Sequence, residues 1–97
     1  MHLHLRLEDT KNKDWIHKDN KESFFMTFLI YLSKTNYDSG TRFYSEDVDN
    51  NDIIADVKFL KNRALIFDGR YRHSAYGQHG NSVENGRLTL NAFFYKK

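Results

Sequence analysis

Ninety-seven residues set a ceiling of one domain, spanning 1–97, that buries only a modest share of its surface. A net charge of +2 with no dense run of Lys or Arg gives no nucleic-acid signal. The lack of cysteine excludes disulfides and thiolate metal sites, and no apolar stretch reaches the ~20 residues of a membrane span.

The start, Met1-His2-Leu3-His4, has neither the basic opening nor the apolar centre of a signal peptide, so a soluble cytoplasmic domain is expected. His2 to Leu7 alternates, with Leu3, Leu5 and Leu7 on one side and His2, His4 and Arg6 on the other, the period of a half-buried strand. His2-x-His4 has the spacing of a chelate, but the polar face of an edge strand explains it as simply. Glu8 to Asp14 is charged and reads as a loop. Trp15 to Asp19 reads as a short strand. Within it, His17 and Asp19 fall on one face and can converge on one ion.

Phe24 to Leu32 is the most hydrophobic run and is apolar on both faces, as in a central strand covered from both sides. Lys34 to Gly40 is expected to turn, and Thr41 to Tyr44 to form a short strand. The acidic stretch Glu46 to Asp52 lacks the glycine-centred ligand pattern of a calcium loop and reads as solvated. Ile53 to Phe59 and Ala64 to Phe67 read as strands joined by a turn at Lys61-Asn62-Arg63. Asp68-Gly69 signals another turn before Tyr71 to Tyr76, which carries His73. Gly77 to Gly86 holds three glycines and reads as a mobile loop, with His79 solvated. Arg87 to Tyr95 closes the chain. Its alternation puts Arg87, Thr89, Asn91 and Phe93 on one face and Leu88, Leu90, Ala92 and Phe94 on the other. About eight short strands and little or no helix point to an all-β sandwich or jelly roll.

His17, Asp19 and His73 are two imidazoles and a carboxylate, the facial set that holds Fe(II) with positions left open. Arg87 beyond them has the planar fork that suits a carboxylate. On residue types alone, a surface His17–Asp19 hydrogen bond and a core His73 are the simpler explanation. The order of the segments adds to this. His17-x-Asp19, then Phe28-Leu29-Ile30-Tyr31-Leu32-Ser33, Ser39-Gly40-Thr41-Arg42-Phe43-Tyr44, Ala64-Leu65-Ile66-Phe67-Asp68, His73 and Arg87-Leu88-Thr89 follow one another over nearly the whole chain.

In that order the chain resembles the catalytic core of the Fe(II)- and 2-oxoglutarate-dependent oxygenases, in particular the prolyl-hydroxylase-like branch. The resemblance implies a double-stranded β-helix (jelly roll) and a hydroxylase activity. Iron would be held by His17, Asp19 and His73, with 2-oxoglutarate and dioxygen as co-substrates. The acid's distal carboxylate would be bound by Arg87 with Thr89, Tyr31 and Asn91. Succinate and carbon dioxide would be the co-products of hydroxylating a small-molecule or peptide substrate. Two other classes compete: a cupin-type metal-binding jelly roll without 2-oxoglutarate, and a non-catalytic β-sandwich binding module. Arg87-x-Thr89 argues against the first and the complete triad against the second.

The same alternation has a further consequence. One face of the larger sheet would carry Thr27, Tyr31, Arg87, Thr89 and Asn91, and the other would be apolar, from Phe24 and Met26 to Phe94. A homodimer is expected to cover that second face, or a neighbouring domain if the chain is a fragment.

Overall fold

The computed structural model describes residues 1–7, 16–18, 24–47 and 49–95, with the backbone alone at 24, 25 and 95. Among the described residues, alternating segments and two largely apolar runs form seven strands: β1 (His2–Arg6), β2 (Phe24–Tyr31), β3 (Asn36–Tyr44), β4 (Ile53–Phe59), β5 (Ala64–Phe67), β6 (His73–Tyr76) and β7 (Arg87–Tyr95). They make two antiparallel sheets, a four-stranded one in the order β1-β7-β2-β5 and a three-stranded one in the order β4-β3-β6. There is no helix among the described residues, and so none long and apolar enough to cross a membrane.

Register decides which side chains share a face, because directly opposed residues point the same way. In the larger sheet, Leu29 of β2 lies opposite Asn91 and Leu65, and Thr27 opposite Phe93 and Phe67. Tyr31 and His4 both lie opposite Thr89, and Arg6 opposite Arg87. This is the inner face. The next residues along form the outer rows: Leu3–Leu90–Ile30–Ala64, Ala92–Phe28–Ile66, Leu5–Leu88 and Phe94–Met26.

The core lies between the sheets. Tyr31 and Phe59 are fully buried, with ring centroids 4.2 Å apart, and Leu29 and Leu65 complete the cluster. Nearer the other end, Phe43 of β3 meets Phe67 of β5 edge-on at 4.9 Å. Each such buried side chain contributes roughly 1.5–3 kcal/mol.

Several expectations change. The Trp15 to Asp19 strand contributes one isolated bridge, at His17, and Trp15 and Asp19 lie outside the described residues. Among the described residues the named strands are seven, against the expected eight or so. β3 begins at Asn36, not Thr41. A register shift against β4 between Asn36 and Gly40 takes up the extra residues. At Gly40 the strands come so close that a Cβ would meet the Val57 carbonyl oxygen at 2.1 Å, which only glycine avoids.

β2 is central, as its composition suggests, yet among the described residues it is covered only on its inner side. Met26, Phe28 and Ile30 on the outer side are half-buried. β1 alternates as expected with its faces reversed: His2, His4 and Arg6 share the inner face, while Leu3 is 69% exposed outside. The turn at Lys61-Asn62-Arg63 forms, with Asn62 at φ 70°, a left-handed conformation that asparagine tolerates.

Candidate functional site

β6 brings His73 to the inner face, opposite Phe43 of β3. His17 joins it as a hydrogen-bonded antiparallel pair. The His17 N–H donates to the His73 carbonyl at 2.8 Å, and the His73 N–H to the His17 carbonyl at 2.9 Å. Such a pair puts both side chains on one side, and the two rings lie with centroids 4.3 Å apart. His73 is buried against Phe43 and Phe67, whereas His17 is exposed.

The second nitrogen matters as much as the first. His73 Nδ1 lies 2.7 Å from the Tyr71 carbonyl. A carbonyl can only accept, so Nδ1 carries a proton, which in the neutral ring leaves Nε2 as the acceptor, the tautomer a metal ligand needs. Nearby contacts hold the two histidine segments against one loop. Arg72 donates to the carbonyls of Ser45 at 2.7 Å and Asp47 at 3.0 Å, and to Asn51 at 2.8 Å. Lys18, next to His17, pairs with Glu46 at 3.1 Å. Asp19, the expected third ligand, lies outside the described residues, and these hold no cluster of three His, Asp or Glu around one point.

Arg87 enters the same cavity from the start of β7. One terminal nitrogen donates to Thr41 Oγ1 at 3.1 Å and to the Gly40 carbonyl at 3.4 Å. Thr41 Oγ1 is 2.6 Å from the Tyr31 hydroxyl, which donates to the Val57 carbonyl at 3.3 Å. Since Tyr31 gives its proton to Val57, Thr41 is the donor to Tyr31, and the chain runs one way from Arg87 to the backbone.

Arg87 Nε is buried and has no hydrogen-bond partner among the described residues. No carboxylate among them pairs with its guanidinium, which sits 5.7 Å from the Tyr31 and Phe59 ring centroids. Burial pulls the Arg87 pKa down to about 10; Tyr31 opposes this shift and Arg6 adds to it. The side chain therefore stays cationic at neutral pH. Burial also raises the Tyr31 pKa, which keeps the phenol protonated.

The cavity between these groups has a volume of about 80 Å³, and His17, His73, Thr27, Phe67, Arg87 and Asn91 are among the residues that line it. At ~30 Å³ each that is room for about two or three waters. Thr89 is buried beside it and donates to Asn91 Oδ1 at 2.8 Å. The structure thus places His17, His73, Arg87 and Asn91 around one space; Tyr31 and Thr89 do not line it but lie behind it, bonded to the lining residues Thr41 and Asn91.

Two residues with a part here carry no expected role. Thr41 is the hinge between Arg87 and Tyr31, and its only signal is its place after Gly40. His79, expected in solvent, is buried: its Nε2 lies 2.8 Å from Ser39 Oγ and its ring 5.9 Å from Phe59. Its loop folds back through Gly80 N–H to the Asn85 carbonyl and Gly86 N–H to the Ser82 carbonyl. Comparison with protein-family models, curated proteins and solved structures finds no match.

Proposed function

We propose that this chain is the core of an Fe(II)- and 2-oxoglutarate-dependent oxygenase, with its two sheets as the halves of a double-stranded β-helix. Arg87 carries the reading. Among the described residues no carboxylate answers the Arg87 guanidinium, and an unanswered buried cation costs several kcal/mol, so an anion that completes it accounts for its position. The cavity that holds Arg87 also holds the paired rings of His17 and His73. A cation for one end of a diacid and imidazoles for a metal at the other suit a 2-oxo diacid that chelates iron.

The residues present fit that group. His17 and His73 would hold Fe(II) through ring nitrogens, and Asp19 two residues after His17 is the carboxylate in the sequence. When bound, iron supplies the activation of dioxygen, coupled to decarboxylation of 2-oxoglutarate to succinate and hydroxylation of a small-molecule or peptide substrate. The Tyr71 carbonyl fixes the His73 tautomer. Arg87 binds the distal carboxylate and orients the acid, with Asn91 and the Thr41–Tyr31 pair bracing that end. Leu29 and Phe67 in the wall keep bulk water from the reacting groups. A metal site of cupin type has no need of Arg87, which is why the oxygenase reading is preferred.

Anaerobic titration with Fe(II) and 2-oxoglutarate tests this. A weak visible charge-transfer band is expected only when both are present, and Asp19→Ala or His73→Ala should abolish iron binding. Failure to bind Fe(II) rejects the reading. Iron bound with no response to 2-oxoglutarate moves it to the cupin class.

A further inference from the structure

We propose that the outer face of the β1-β7-β2-β5 sheet is the interface of a two-fold homodimer; this inference is independent of the oxygenase reading. Every residue in the outer rows is apolar, and the large side chains stand furthest into solvent at the margins: Leu3 is 69% exposed, Ile66 63%, Phe94 54% and Leu5 42%. With the half-buried rows between them they form one apolar face comparable in size to the ~300–600 Å² largest patch of a typical monomer. Two copies would bury on the order of twice that, towards the lower end of the ~1,200–2,000 Å² of stable interfaces.

Three observations favour a second copy as the occupant. The area is that of one sheet laid on another, at a spacing of ~10 Å and strand directions within ~30°. The rows carry no charge, so the face can meet itself about a two-fold axis without like-charge repulsion. The remaining segments of this chain are also the wrong material: Glu8 to Trp15 and Asp19 to Ser23 bring one apolar side chain between them, Trp15. The outer face of the smaller sheet differs, since it carries Arg42, Asp56 and Lys58 and is suited to water.

Light scattering at low micromolar concentration reads the answer directly. The wild-type chain is expected at twice its 11.6 kDa mass. Ile66→Lys and Leu3→Lys set charges into the contact from its β5 and β1 margins, two per dimer, and should each raise the dissociation constant on the order of 100-fold. Both positions are solvent-exposed in a single copy, so far-UV circular dichroism should not change. Ile54→Lys, at an equally exposed site on β4, is the control and should leave the mass unchanged. A wild-type chain that stays at single-chain mass, or that forms a broad series above two, overturns the proposal. So does a Lys variant of Ile66 or Leu3 that remains dimeric, or a control that dissociates as readily.

Discussion

Two arginines in this molecule bury an Nε that makes no hydrogen bond among the described residues, Arg42 and Arg87, and they lie on opposite sides of the smaller sheet. Arg42, on the outer side, stacks 3.7 Å from the Tyr76 ring centroid with Asp56 at 3.5 Å. Lys58 lies 3.6 Å from the same carboxylate, and the Tyr76 hydroxyl donates to it. Partial burial raises the Asp56 pKa, but Tyr76, Lys58 and Arg42 outweigh this and the net shift is downward. The charge at Arg42 is thus answered within the protein. Among the described residues, Arg87, on the inner side, meets neutral oxygens and ring faces and no carboxylate. On the proposed function, the difference is that a charge completed by the fold braces the fold, whereas one the described residues leave incomplete is kept for a ligand.

The strongest way to break this comparison is Arg87→Met. If the guanidinium serves an incoming carboxylate, its loss should weaken 2-oxoglutarate binding about 100-fold, the ~2–5 kcal/mol typical of truncating one partner of a buried charge pair. The apo protein should not suffer. Removing an uncompensated buried cation is expected to leave it as stable or to stabilise it by about 1–2 kcal/mol in urea denaturation. In the wild type alone, 2-oxoglutarate with a redox-inert metal should raise the Tm. A marked loss of stability with unchanged affinity would make Arg87 a structural residue like Arg42.

A smaller effect is expected at Tyr31. Tyr31→Phe keeps the ring against Phe59 but removes the hydroxyl between Thr41 and Val57. Leaving Thr41 short of a buried partner should cost about 1–2 kcal/mol of stability. Arg87 would then hold the acid from a looser support, with affinity reduced by up to about tenfold. Unchanged stability would mean that Thr41 is satisfied elsewhere.

How much of this was legible in the sequence depends on range. Ile53–Phe59, Ala64–Phe67 and Arg87–Tyr95 stand where their alternation and flanking turns put them, because each carries its own signal. Asn36 to Ser39 reads as a turn by composition yet is strand, because Asn36 donates to the Gln78 carbonyl at 2.6 Å and Ser39 meets His79. Those contacts come from a loop about forty residues away, and local propensity cannot register them. The inward turn of His2 and His4 is hidden for a related reason: alternation defines two faces of a strand but not which one meets the second sheet. In the site, the shared face of Arg87, Thr89 and Asn91 followed from period two alone. The meeting of His17 with His73 was foreshadowed only by the order of segments, and the burial of His79 by nothing.

His79 allows a test by pH. Burial, with Arg87 and then Arg6 nearby, pulls its pKa from 6.5 down to about 4. Between those values the unfolded chain holds the extra proton, so its contribution is complete above pH ~6.5 and is lost as pH falls towards 4. The effect on stability is on the order of 1 kcal/mol or more. His79→Gln, which can still bond Ser39, should flatten the stability profile between pH 6.5 and 4. An identical slope in the two proteins would show that His79 does not report on the cationic interior around Arg87.

The smallest expected effect is at Arg42, and it completes the comparison. Arg42→Met removes a partly exposed cation from a network that keeps Lys58 beside Asp56 and the Tyr76 hydroxyl bonded to the carboxylate. Exposed pairs of this kind contribute about 0.2–1 kcal/mol, and the methionine chain retains some of the packing on Tyr76. Stability should therefore drop by less than about 1 kcal/mol, and raising the salt concentration should shrink the difference from wild type. Affinity for 2-oxoglutarate should stay within experimental error, because Arg42 points away from the cavity that holds His17, His73 and Arg87. A loss of affinity as large as that of Arg87→Met would show that the two sides of the sheet are not independent, and the division between a bracing arginine and a binding arginine would fall.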